Sequence, residues 1–275
     1  MIGVATSDLQ PPQCYPRQNP HRFSQQLTVF CDFDGPIVDV SDRYYATYQL
    51  ALEETQEFYQ QRQGITLPIG QLKKQQFWQM KQDRVPDVEI AMRSGLQGEQ
   101  IDFFMKRVIE IVNQPSLLQK DRMQPGMSWA LALLHSQGVR LVLVTLRCQS
   151  QATQILRNYG LTRLFSGIYG TNDRDAAYHN YAEGKTLLLE KAISETMSAS
   201  YTEQSLNPKH QTSAWMIGDT EADILAGQAL SIPTIALTCG IRSRLYLKQF
   251  KPTHIHTDLL SAAHYLLETL KIAQG

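Results

Sequence analysis

Apolar residues fall into two textures along the chain. The run LTVFCDF from Leu27 is short, apolar and rich in β-forming residues, so it predicts a strand. From Ser41 to about Arg122 the pattern is helical throughout. EQIDFFMKRVIEIV sets Ile101, Phe104, Met105, Val108, Ile111 and Val112 at i, i+3, i+4, i+7, i+10 and i+11, one apolar stripe on a helix face. SDRYYATYQLALEETQEFYQQ opens on Ser41 as an N-cap and carries Tyr44, Tyr48, Ala51 and Leu52 on one side. No strand pattern interrupts this block.

After QPG (Gln124 to Gly126) the pattern becomes alternating strand and helix. MSWALALLHSQG reads as a helix ended by Gly138, and VRLVLVTL as a strand whose near-continuous apolar run needs both faces covered. SQATQILRNYG is a helix ending at Gly160, and GKTLLLEKAISETM is another. SAWMIGD is a strand, TEADILAGQAL a helix, IPTIALT a strand and DLLSAAHYLLETL the last helix. This alternation predicts an α/β fold, a doubly wound parallel sheet with right-handed crossovers, into which the helical block is inserted after the first strand. The expected divisions are an irregular arm over 1–26, a core made of 27–40 and 123–275, and an all-helical insertion over 41–122.

Composition narrows the class. Lys+Arg and Asp+Glu are both 26 in 275 residues, and this zero formal charge argues against a basic nucleic-acid surface or a membrane-seeking face. No window approaches the 18 or so apolar residues of a membrane span. Cys14, Cys31, Cys148 and Cys239 are scattered without CxxC or CxxH spacing, which fits neither a zinc site nor a disulfide framework. Free thiols, with no basic and apolar leader at the start, predict a cytoplasmic protein.

In a doubly wound sheet, ligands bind beyond the carboxyl ends of the strands. The first strand ends there in VFCDFDGPIVD, with Asp32 and Asp34 one residue apart. Two carboxylates so placed repel each other and lose hydration, so they call for a counter-charge or a metal. VRLVLVTL delivers Thr145 and then Arg147, WMIGD delivers Asp219 with Asp223 a turn later, and EGK places Lys185 near a helix start.

The order DFDG…VT…K…GDTEAD resembles the haloacid dehalogenase-like phosphohydrolases, in the subgroup with a helical cap inserted after the first motif. The resemblance covers roughly residues 27–270 and implies a Rossmannoid core and a Mg²⁺-dependent phosphatase acting on a small phosphorylated metabolite. It implies that Asp32 is the nucleophile, forming an aspartyl-phosphate, and that Asp34 protonates the leaving alkoxide and then activates water. Mg²⁺ would be held by the side chains of Asp32 and Asp219 and the backbone carbonyl of Asp34, with Asp223 binding the metal or its waters. Thr145 would donate to phosphoryl oxygens and Lys185 would neutralise the charge. The dication and Lys185 would together offset the repulsion between Asp32 and Asp34. The second carboxylate fits an alkoxide leaving group, so a phosphatase is favoured over a dehalogenase. The tail PTIALTCGIRSRLYLKQFKPTHI is similar to the phosphoglycolate phosphatase branch, which suggests a small phosphorylated acid. A phosphomutase of the β-phosphoglucomutase type shares every motif, and a non-catalytic binding protein is the further alternative. Oligomeric state stays open.

Several residues depart from that pattern or carry two readings. Pro36 stands where the motif usually has threonine and removes an N–H. Leu146 replaces the frequent Asn or Gly. GKT replaces KP, which leaves Lys191 as a competitor to Lys185. A Walker reading of GKT fails because His179 occupies the position of its first glycine. Arg147 reads either as a phosphate contact or as a solvated arginine at a helix start. Asp39 is a solvated or capping residue. His254 and His256 could bind metal, but a late edge strand accounts for them better. Phe77, Trp78 and Met80 read as core rather than as a substrate platform. Lys73, Lys74, Lys81 and Arg84 form a charged helix face, from which Lys81 or Arg84 could meet an anionic leaving group.

Overall fold

Each central strand is apolar on both sides because helices cover both sides. The computed structural model describes residues 27–173, 175–203 and 213–272; the expected arm over 1–26 lies outside the described residues. Six strands form one parallel sheet: β1 (Leu27–Cys31), β4 (Arg140–Cys148), β5 (Gly167–Thr171), β6 (Ser213–Gly218), β7 (Thr234–Leu237) and β8 (His254–His256), in the order β5-β4-β1-β6-β7-β8. Side chains alternate between its faces. Phe30, Val142, Val144 and Met216 face one way and pack on Leu189 and Ala192 of α9 (Ala182–Glu203) and Ala226 of α10 (Glu221–Ala229). Val29, Cys31, Leu141, Leu143 and Ile217 face the other way. There they share a larger cluster with Leu131 and Leu134 of α6 (Met127–Ser136), Leu156 of α7 (Gln149–Asn158) and Leu266 of α12 (Leu259–Ile272). The expected α/β fold with a doubly wound parallel sheet is present.

Five helices lie between β1 and α6: α1 (Ser41–Gln63), α2 (Lys74–Gln82), α3 (Asp87–Arg93), α4 (Glu99–Ile111) and α5 (Pro115–Leu118). The stripe on α4 buries Phe104, Val108 and Ile111, while Ile101 and Met105 are half-buried. Tyr48 on α1 stacks on Phe77 of α2, with ring centroids 4.8 Å apart. Phe77 and Met80 are buried and Trp78 half-buried, as core residues should be.

The block is not helical throughout. Residues 64–73 carry no regular structure, beginning at Gly64, which ends α1 in the left-handed region at φ 68°. Ser41 is not the N-cap either; Val40 occupies that position, and the Ser41 N–H donates to Asp39 Oδ1 at 2.8 Å. Asp39 is therefore a capping residue. A two-residue antiparallel ladder joins β2 (Val38–Asp39) to β3 (Arg122–Met123), tying the chain entering the block to the chain leaving it. β5 and the short helices α8 (Ala176–His179) and α11 (Arg244–Lys248) were not expected. β8 is the edge strand foreseen for His254 and His256, and the Tyr265 hydroxyl lies 2.5 Å from His254 Nε2. Among the described residues, no helix is long and apolar enough to cross a membrane.

Candidate active site

The chain runs from β1 outward to β4 and β5, then returns to β6 on the other side of β1. The carboxyl end of β1 is thus the point where the strand order reverses, and a crevice opens there. Register sets what faces it. Cys31 pairs with Leu143 on one side and Ile217 on the other, so Asp32 is level with Val144 and Gly218. The Asp32 N–H donates to the Ile217 carbonyl at 2.8 Å, continuing the ladder by one bond. One step further along the flanking strands stand Thr145 and Asp219, both buried.

Lys185, in the first turn of α9, reaches into this point and is 1% exposed. Its Nζ donates to the Val144 carbonyl at 3.2 Å and forms ion pairs with Asp32 Oδ1 at 2.7 Å and Asp223 Oδ1 at 2.8 Å. Burial works against the charged lysine, but Asp223 and Asp32 outweigh it and hold its pKa above the ordinary value. Its competitor Lys191 is 63% exposed and pairs with Glu195, away from the crevice.

Asp32, Asp219 and Asp223 are all buried, and each offers an oxygen within 4.8 Å of the others. Asp223 Oδ2 accepts the Thr220 N–H at 3.1 Å and its hydroxyl at 2.7 Å, capping α10. Asp219 accepts the Ile241 N–H at 2.6 Å, and its Oδ1 is buried with no donor among the described residues. Glycines make room for this carboxylate. A Cβ on Gly35, which lies at φ +95°, or on Gly240 would stand 2.1 or 1.9 Å from an Asp219 carboxyl atom. Burial, then the charges of Asp32 and Asp223, push the Asp219 carboxyl well above its usual range. Burial likewise raises Asp32 to about 7, with Lys185 opposing and Asp223 adding. Three buried carboxylates with one ammonium, which pairs with only Asp32 and Asp223, and an Asp219 oxygen with neither donor nor cation among the described residues, fit a hard, oxygen-liganded dication.

Asp34 is not part of this cluster. Its counter-charges are two arginines, not Lys185. Arg147 Nε lies 2.9 Å from Asp34 Oδ1 and Arg43 Nη2 3.2 Å from Oδ2. The same arginines grip Asp121: Arg147 Nη2 at 2.6 Å from Oδ2, Arg43 Nε at 2.9 Å from Oδ1. The result is a closed ring, Arg43–Asp34–Arg147–Asp121, with both arginines 2% exposed. Arg147 is therefore not solvated, and burial against its charge is outweighed by Asp34 and Asp121, which raise its pKa. Neither Arg43 nor Asp121 was anticipated. The available signal was an arginine in the first turn of the helix after DFDG, and an aspartate just before the chain re-enters the core.

The far wall comes from the helical block. Lys81 and Arg84 line the same crevice as Asp32, Asp34 and Thr145. Lys81 is buried and pairs with Asp87 at 2.7 Å, and Asp87 also accepts the Tyr178 hydroxyl at 2.6 Å. Burial lowers the Lys81 pKa, with Asp87 opposing. Arg84 lies 3.2 Å from Glu221 Oε1, and Glu221 also receives Arg242 Nε at 2.7 Å and Nη2 at 3.1 Å. The Ser243 N–H donates to the Gln82 carbonyl at 2.8 Å, so the end of α2 is docked on the loop before α11. Lys73 and Lys74 do not line the crevice; Lys74 pairs with Asp42.

A family model described as haloacid dehalogenase-like hydrolase matches residues 29–237. "Probable phosphatase IndB" of Dickeya dadantii is 27% identical over 245 residues, covering 88% of this chain and 95% of that protein. A phosphoglycolate phosphatase of Psychrobacter arcticus is 28% identical over 144 residues, 52% of this chain and 56% of that protein. The fold is similar to that of a haloacid dehalogenase-like family hydrolase from Streptococcus pneumoniae, with a TM-score of 0.60 at 20% identity over 88% of this chain and 99% of that one. It is also similar to a subfamily IA hydrolase from Geobacter sulfurreducens, with a TM-score of 0.54 at 18% identity over 88% of this chain and 97% of that one.

Proposed function

Because the chain belongs to the haloacid dehalogenase-like hydrolase family, we propose that it is a phosphatase that hydrolyses a small phosphorylated metabolite through an aspartyl-phosphate on Asp32. The observation that carries this reading is the convergence of Asp32, Asp219, Asp223 and Lys185 at the carboxyl end of β1, under a wall supplied by α2. We take α1 to α5 as the cap. The phosphatases among the relatives support the reaction class, and the phosphoglycolate phosphatase among them supports a small phosphorylated acid.

Asp32, Asp219, Asp223 and the Asp34 carbonyl would hold Mg²⁺, which when bound supplies charge neutralisation for the phosphoryl oxygens. Asp32 attacks phosphorus, and the bond to the leaving oxygen breaks as Asp34, which must enter this step as the carboxylic acid, gives that oxygen its proton. Asp34 then takes a proton from water, whose oxygen attacks the same phosphorus and frees Asp32 and inorganic phosphate. The Thr145 hydroxyl, buried at the end of the crevice, donates to a phosphoryl oxygen. Lys185 is ion-paired with both Asp32 and Asp223, so it serves as the fixed counter-ion that keeps Asp32 usable as a nucleophile. The α2 wall excludes water from the reacting centre.

Hydrolysis of 4-nitrophenyl phosphate with and without Mg²⁺, by the wild type and Asp32→Asn, tests this. We expect Mg²⁺-dependent turnover that the variant loses by at least about a thousandfold. Equal rates in the two proteins would overturn the assignment. A panel of phosphorylated metabolites then identifies the leaving group.

A further inference from the structure

We propose that Arg147 binds substrate directly, its Nη1 group donating to an anionic oxygen of the bound phosphomonoester while Asp34 and Asp121 hold the guanidinium in place. This rests on the phosphatase reading above. The plane of the side chain is fixed from several sides. Its Cζ lies 5.4 Å from the centre of the Phe33 ring, its Nε faces Asp34 Oδ1, and its Nη2 faces Asp34 Oδ2 at 3.2 Å and Asp121 Oδ2 at 2.6 Å. Nε has Asp34 Oδ1 beside it at 2.9 Å as an ion pair without an aligned hydrogen bond, whereas among the described residues Nη1 has neither an ion pair nor a hydrogen bond. Nη1 is buried and has no acceptor among the described residues. A buried charged donor without an acceptor is costly, and native structures rarely leave one unexplained. Arg147 lines the crevice beside Asp32, Thr145 and Lys185, so the missing acceptor belongs to whatever fills that crevice.

The other buried cations of the crevice are already committed. Lys185 donates to the Val144 carbonyl and is ion-paired with both Asp32 and Asp223. Lys81 pairs with Asp87, and Arg242 divides its nitrogens between Glu221 and the carbonyls of Lys81 and Ile241. Arg43 completes the ring but does not line the crevice. A guanidinium can grip two carboxylates with two arms and present the third; an ammonium is a point charge and cannot do this in one geometry.

The test compares wild type, Arg147→Lys, Arg147→Gln and Arg43→Lys. Inorganic phosphate affinity is measured by calorimetry with Mg²⁺ present. KM and kcat are measured for a phosphate ester of a neutral alcohol and for a phosphorylated carboxylic acid. We expect both Arg147 variants to weaken phosphate binding, or to raise KM for the phosphorylated acid, by about tenfold or more. A loss that includes inorganic phosphate places the contacted oxygen on the phosphoryl group; a loss confined to the phosphorylated acid places it on the leaving group. Arg43→Lys disturbs the ring away from the crevice, so it lowers the unfolding midpoint and shifts kcat through Asp34, but leaves phosphate affinity and KM within about threefold. The proposal is overturned if folded Arg147→Lys keeps phosphate affinity and KM within about threefold of wild type, or if Arg43→Lys weakens phosphate affinity or raises KM as much as Arg147→Lys does. Should the wild type hydrolyse neither ester, the phosphatase reading falls, while calorimetry still decides whether Arg147 holds phosphate.

Discussion

Replacing Asp219 by Asn should stabilise the metal-free protein while destroying its activity. Asp219 is buried beside Asp32 and Asp223, and among the described residues no cation forms an ion pair with it; Lys185 pairs with the other two, and Arg242 opposes the rise of its pKa only as the weakest of the influences on it. Their oxygens lie within 4.8 Å, where two unit charges repel by about 3–4 kcal/mol at an effective dielectric of about 20. With two such neighbours and a share of one ammonium, removing the Asp219 charge should relieve roughly 2–4 kcal/mol. Asn is close to isosteric, and its amide oxygen can still accept the Ile241 N–H, so little packing is lost. The sign with pH follows from burial, which with Asp32 and Asp223 raises the Asp219 carboxyl well above its unfolded value of 3.8. The folded protein then binds that proton more tightly than the unfolded chain, and stability falls as pH rises from 3.8 through the folded value. At pH 7.5 in EDTA, thermal unfolding should show the variant melting about 5–10 °C higher. The gap should close at acid pH, where wild-type Asp219 carries its own proton. Mg²⁺ at about a hundred times its dissociation constant should add about 2.7 kcal/mol to wild type and far less to the variant. A variant less stable than wild type in EDTA at pH 7.5 would refute the claim that like charges are forced together here.

Two further substitutions separate residues by position. Gly35→Ala puts a Cβ 2.1 Å from Asp219 Cγ at φ +95°; it should cost at least about 3 kcal/mol in urea unfolding and most of the activity, and a wild-type-like profile would show that the loop has slack. Lys185→Met leaves Asp32 and Asp223 buried without their cation, so unfolding in EDTA should reveal a loss of about 3–5 kcal/mol together with lost turnover. Lys191→Met, on an exposed turn of the same helix, should stay within about 0.5 kcal/mol, and an equal loss in both would reopen the choice between the two lysines.

What could be read from the chain was whatever its periodicity or strand ends express locally. The unbroken run of β4 announces a strand covered on both faces, and the stripe on α4 announces its buried side. Asp32 and Asp219 could be assigned to one crevice because each follows an apolar strand, and in a parallel sheet those ends share an edge. The ring around Asp34 was opaque for the opposite reason. Arg147 and Asp34 are 113 residues apart, and Arg43 sits on a helix whose pattern reports only its apolar face. The β2–β3 ladder is two residues long, below what alternation can signal, and the two glycines of β5 mask its strand character. Ser41 drew the cap assignment because it is a good capping type, but the helix begins at Ser41 itself, whose N–H is taken by the Asp39 carboxylate two residues earlier.

The ring also changes how two carboxylates so close in sequence can coexist. A single dication with Lys185 would have made Asp32 and Asp34 compete for the same positive charge. They do not compete, because their counter-ions are separate: Asp32 leans on Lys185 from α9, and Asp34 leans on Arg43 from α1 and Arg147 from β4. The ring is neutral on its own, two arginines against two aspartates. The cluster is not, since three carboxylates against one ammonium (−3 + 1) leave −2 when all are ionised. The shortfall of positive charge is therefore confined to the place where a hard cation fits, and the carboxylate assigned to proton transfer lies outside it. Asp34 is also fastened to both ends of the helical block, through Arg43 on α1 and, by way of the arginines, Asp121 just before β3. Any movement of that block relative to the sheet must strain or break ion pairs made by Asp34, while those of Asp32 are held entirely within the core.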